Sequence, residues 1–111
     1  MVIAFDSLPL RAVCEDANQA DSDLGPVVAR TLRSRLADLR AATSPADLVA
    51  GRPRVVVDGD REYMELSVGE GFRILFEANH VNNPRDTASR IDWAKVSRIK
   101  IVGIRNDSSH K

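Results

Sequence analysis

The sequence predicts an α+β domain: two amino-terminal helices packed on one face of a mainly antiparallel, twisted sheet of four to five strands. Three observations carry that expectation. In PVVARTLRSRLADLRAA, residues 26 to 42, the apolar residues Val28, Leu32, Leu36 and Leu39 recur at helical spacing. From residue 54 onward the apolar period falls to that of strands. The glycine-bearing turns DGD and GEG then join consecutive apolar runs, as hairpin connections do.

The opening VIAF reads as a short strand. Ser7 stands as a cap before LPLRAVCEDA, and Pro9 is acceptable in a first helical turn, so a helix is expected there with Leu8, Val13 and Cys14 facing inward. ANQADSDLG is polar and turn-rich and reads as a loop. Pro26 suits the first position of the long helix, Thr43 and Ser44 close it, and Arg30, Arg33 and Arg40 lie off its apolar stripe. SPADLVAG repeats the start signal, with Ser44 as cap, Asp47 at the positive end of the dipole and Gly51 as the stop. It predicts a further helix of about one to two turns. RVVV (54–57), REYMELSV (61–68), FRILFEA (72–78) and SRIKIVGI (97–104) read as strands, the first three as an antiparallel meander. Residues 79–96 form a longer excursion in which Trp93 is the natural packing anchor.

At 111 residues the chain suits one domain, 1–111, with one modest core. No apolar run approaches the roughly 20 residues that span a bilayer. The start lacks the basic region and small-residue cleavage site of a signal peptide. A lone cysteine, Cys14, fits a reducing compartment, so the cytoplasm is the expected location. Two histidines and one cysteine lie too far apart for zinc-ligand spacing, and there is neither a phosphate-binding glycine loop nor a nucleophile elbow. The expectation is no cofactor, no metal and no membrane.

Net charge is zero, yet residues 1–24 hold one base against five acids while the rest hold fifteen bases against eleven acids. Thirteen of the sixteen bases are arginine, whose planar fork suits phosphate better than lysine's point charge. Arg73 is the most notable of them, because it interrupts an apolar strand between Phe72 and Ile74. Strand alternation sets Phe72, Ile74 and Phe76 on one face and Arg73, Leu75 and Glu77 on the other. With helices on the first face, Arg73 stands on the uncovered one.

The order of elements, the helix LRSRLADLRAATSPADL, the GDR turn, the strand FRILF and the ending IDWAKVSRIKIVGIRNDSSH together resemble the RelE/ParE superfamily of type II toxin–antitoxin toxins. The likeness is greatest to its HigB-like proteic killer branch and runs along nearly the whole chain. It implies a RelE-like fold and a ribosome-dependent, metal-independent endoribonuclease that cleaves mRNA, inhibits translation and is neutralised by a HigA-like helix-turn-helix antitoxin. In such chemistry the ribose 2′-OH attacks the adjacent phosphodiester, which calls for a base, a cation on the phosphate and an acid for the leaving 5′-oxygen. By the same resemblance Arg73 would hold the scissile phosphate, and His110 would be the acid or base, with Asp107 able to orient it. Arg54, Arg61 and Lys100 are candidate substrate-binding cations. The family's lysine before GDR is Asp58 here, and its D-Y-H ending is Asp107-Ser108-Ser109-His110. Those departures keep two other readings open: an antitoxin-binding relic without catalysis, or a ParE-like gyrase poison. The plainer alternative for Arg73 is a solvated arginine paired with Glu65 or Glu77, and His80 reads as a surface histidine.

Overall fold

A computed structural model describes residues 1–106 of the chain. In chain order the elements are β1 (Val2–Phe5), α1 (Leu8–Glu15), α2 (Ala17–Leu24), α3 (Pro26–Ala41), a 3-10 turn (Pro45–Asp47), β2 (Arg54–Asp58), β3 (Arg61–Gly69), β4 (Phe72–Ala78), a second 3-10 turn (Trp93–Lys95) and β5 (Arg98–Asn106). The five strands form one sheet in the order β1-β5-β4-β3-β2. The expected antiparallel meander β2–β3–β4 is present, and β5 returns antiparallel to β4. Gly59 turns the β2–β3 hairpin at φ +60°, so that Asp58 faces Arg61 and Arg54 faces Glu65.

Three expectations about the elements need correction, and one about the face that α1 buries. The sheet is mixed, because β1 pairs parallel to β5, with Ile3 beside Ile99 and Phe5 beside Ile101. There are three helices among the described residues, not two: ANQADSDL is α2 rather than a loop. Asp16 makes that possible. Its backbone closes α1 by donating to Ala12 O, while its carboxylate accepts from the amides of Asn18 and Gln19 and opens α2. Lastly, the segment 44–51 is reduced to one 3-10 turn over Pro45–Asp47.

The core lies between the helices and one sheet face. Val28, Leu32, Leu36 and Leu39 of α3 are all buried against Met64, Leu66 and Val68 of β3, Ile74 and Phe76 of β4, and Ile99 and Ile101 of β5. Each such aliphatic side chain stabilises the fold by roughly 1.5–3 kcal/mol on burial. In α1 the inward stripe is Leu10, Val13 and Cys14, whereas Leu8 is 80% exposed. The reason is angular: positions 10, 13 and 14 share a helical face that position 8 does not. Burial pushes the Cys14 thiol up to about 11, helped by the Glu15 charge and opposed by that of Arg40.

The excursion after β4 is pinned rather than loose. Glu62 on β3 accepts from Ile91 N at 3.1 Å, Trp93 Nε1 at 3.2 Å and Arg90 Nε at 3.3 Å. The Trp93 ring meets Phe76 edge-on at 6.1 Å between centroids, which makes it the anchor expected. His80 is a connector: its Nε2 accepts from Ser97 N at 3.1 Å.

Candidate functional site on the open sheet face

The second sheet face carries no helix among the described residues, and alternation delivers its side chains from every strand. Arg54 comes from β2, Tyr63, Glu65 and Ser67 from β3, Arg73, Leu75 and Glu77 from β4, and Lys100 and Arg105 from β5. At its centre Glu65 has 2% of its surface exposed. Oε1 of Glu65 accepts from Arg54 Nη2 at 2.7 Å and Arg73 Nη1 at 2.9 Å, and Oε2 is paired with Arg105 Nη2. Three guanidinium groups from three strands therefore converge on one carboxylate.

Charge explains why an acid is stable there. Burial alone raises the Glu65 pKa, but the hydrogen bonds from Arg54 and Arg73 and the charges of Arg105 and Arg54 outweigh it, and the net shift is downward. The cluster holds three positive charges against one negative. Its cations still reach solvent, with side-chain exposures of 60% for Arg54, 35% for Arg73 and 43% for Arg105. A surface depression of about 340 Å³ beside them is lined by Gly51, Arg52, Arg54, Glu65, Ser67 and Arg73.

Backbone closure at this end of β3 is supplied from outside the sheet. The pairing with β2 stops at Glu65, and Ser67 N then donates to Gly51 O at 2.7 Å while Arg35 Nε of α3 donates to Ser67 O at 3.2 Å. Gly51 sits at φ +88°, and a Cβ there would lie 2.8 Å from Arg35 Nε. The site's rim is thus held by a helix and a loop together.

The sequence-predicted cations divide into two groups. Arg54 and Arg73 meet at Glu65. Arg61 and Lys100 lie toward the other end of the face, where Arg61 Nε donates to Glu77 at 3.1 Å and Lys100 Nζ lies 3.6 Å from Asp6. Arg73 and Glu77 are four residues apart on β4, about 13 Å of strand. Between the groups lies a depression of about 330 Å³ lined by Tyr63, Leu75, Val102 and Gly103 along with Asp6, Asp58, Arg61 and Glu77. The pairing to Glu77 raises the Arg61 pKa, chiefly through the hydrogen bond. Compared with known protein families, curated proteins and solved structures, the chain matches none.

His110 and Asp107 lie outside the described residues. Among the described residues no group of three or more His, Cys, Asp or Glu side chains could hold a metal ion, and no helix is long and apolar enough to cross a membrane. The residues that sequence reasoning did not place in the site are Arg105, which faces Arg73 across the β4–β5 ladder, and Glu65 as the shared centre. The signal for Glu65 was available in the hairpin: a two-residue turn at Gly59-Asp60 fixes Arg54 opposite Glu65.

Proposed function

We propose that the chain is a RelE/ParE-type toxin of the HigB-like branch, and that its open sheet face binds RNA phosphate for cleavage on the ribosome. The observation that supports this most is the convergence of Arg54, Arg73 and Arg105 on Glu65, because it presents preorganised cationic forks on a rigid surface uncovered by helices. In the reaction the 2′-oxygen would attack phosphorus as its proton is taken by a base. The bond to the 5′-oxygen breaks, and an acid protonates that oxygen, leaving a 2′,3′-cyclic phosphate and a 5′-hydroxyl. Arg73 would stabilise the extra charge on the phosphate oxygens, and His110 would move the proton. Arg61 and Lys100, farther along the face, suit phosphates up- or downstream of the cleaved one. A HigA-like antitoxin would neutralise the protein in the cytoplasm.

A second reading rests on a specific pairing pattern. Each predicted cation has a carboxylate partner: Arg54 and Arg73 have Glu65, Arg61 has Glu77 and Lys100 has Asp6. A face whose cations are already engaged in this way suits a non-enzymatic protein that binds its antitoxin or another target such as gyrase. Induced expression in a bacterial host, with mapping of new mRNA 5′ ends for wild type, Arg73→Ala and His110→Ala, separates the two. Arrest with cuts inside translated codons, lost in Arg73→Ala, supports the endonuclease. Arrest without cuts points to a bound target, and soluble protein with neither effect points to the antitoxin-binding role.

A further inference from the structure

β2 lies at one end of the sheet order, paired to β3 on one side only. Exposed strand edges are normally guarded by shortness, charged side chains, proline, a bulge or a covering segment. Within Arg54–Asp58 there is no proline or lysine, and the register with β3 runs without a break from Arg54↔Glu65 to Asp58↔Arg61. Three successive valines occupy its centre, with Val55 43% and Val57 50% exposed. This is a regular edge with an apolar centre, bounded by Pro53 and Arg54 at one end and Asp58 at the other.

Its charge pattern selects an occupant. Arg54-Val55-Val56-Val57-Asp58 reads as a palindrome of opposite charges about Val56. When two copies pair antiparallel around a two-fold axis at Val56, Arg54 of each faces Asp58 of the other, Val55 faces Val57, and Val56 faces itself. An antiparallel two-fold pair also keeps equivalent faces on one side. Parallel pairing would instead bring like charges beside one another, which is unfavourable across a ladder.

We propose that two copies of this chain join through β2 in this register, forming one continuous ten-stranded sheet. The partner is a second copy because the strand's own charges complement themselves, with Arg54 shared between Glu65 of its own chain and Asp58 of the other. The arrangement gives Asp58 a role, as the acid that meets Arg54 of the partner. It also sets both Glu65-centred arginine clusters on the same side of the joined sheet.

Sedimentation of the full chain over a range of concentrations, together with cysteine cross-linking, tests it. Wild type should show a reversible monomer–dimer equilibrium, and Val56→Lys, which opposes two ammonium groups at the axis, should remain monomeric. In Val56→Cys the two sulfurs lie across directly paired positions, within the span a disulfide accepts, whereas in Val57→Cys they lie two residue steps apart. Oxidation should therefore cross-link Val56→Cys at least about tenfold faster than Val57→Cys. Wild type that stays monomeric at every concentration, or equal cross-linking rates for the two variants, would overturn the proposal and leave the edge to a strand from a different chain.

Discussion

Arg73 Nη1 on β4 donates to Glu65 Oε1 on β3 at 2.9 Å, and the same oxygen accepts from Arg54 on β2. One carboxylate therefore sets the orientation of cations from both neighbouring strands. Glu65→Gln keeps the shape and one acceptor oxygen but removes the charge. Because the arginines retain contact with water, the loss should be that of charged hydrogen bonds, about 2 kcal/mol, rather than that of an isolated buried ion. Thermal unfolding should register it as a fall in Tm of roughly 10 °C. An unchanged Tm would mean that the cluster contributes no net stability.

The same carboxylate predicts a pH dependence. Its folded-state pKa is lowered, so its contribution to stability is complete above the unfolded value, about 4.3 for glutamate, and is lost as pH falls through the folded value. Urea midpoints measured downward from neutral pH should show a constant gap between wild type and Glu65→Gln until the ordinary carboxylate range. Below it the gap should close. A gap that widened in acid would reverse the sign assigned here.

If the open face binds RNA phosphate, each arginine that contacts it displaces counterions. Removing one such contact, as in Arg54→Ala, should flatten the slope of log K against log salt by about 0.7 for a single strand. A fluorescent oligoribonucleotide titrated at several salt concentrations gives that slope directly. Arg73→Lys should weaken binding nearly as far as Arg73→Ala, because the ammonium cannot reproduce the fork.

Gly51 and Gly59 both hold positive φ but differ in surroundings. Nothing lies within 4 Å of a Cβ at Gly59, whereas at Gly51 it would meet Arg35 Nε at 2.8 Å and Ser67 O at 3.1 Å. Gly59→Ala should cost about 1 kcal/mol of backbone strain, and Gly51→Ala about 2–3 kcal/mol. Denaturant titration of the two variants compares them. Equal losses would show that the Arg35 contact yields freely.

Cys14 serves as a reporter of opening. With 7% of its surface exposed and its thiol pushed up to about 11, it should react with a thiol reagent at pH 8 far more slowly in the native protein than in urea. Native labelling at the unfolded rate would place the thiol outside the core.

Much of this architecture could be read from patterns that are local in the chain. The α3 stripe Val28, Leu32, Leu36 and Leu39 follows from helical spacing, and the β2–β3–β4 meander from turn chemistry. α2 escaped because it buries only Ala20 and so leaves almost no apolar period. Its signature was in the capping instead: Asp16 is followed three residues on by Gln19, and Gln19 Nε2 reaches Asp23 one turn later at 3.0 Å. The parallel alignment of β1 with β5 had no local signal, since alternation in VIAF is the same for either direction. Within the site, Arg73 was visible as a charge out of place, while Arg105 was not, because only the register Arg73↔Arg105 brings it alongside.

The pairing of β1 with β5 joins residues 2–5 to residues 98–101. During synthesis, at about 5–20 residues per second, the amino-terminal strand therefore waits until residues 98–101 have been made before its neighbour exists. β4 likewise lacks β5 on one side until then, so the surface holding Arg73 and Arg105 together comes into being last. Contacts so distant along the chain also form slowly once available. The arginine cluster therefore cannot assemble until residues 98–106 have been made and have found β4.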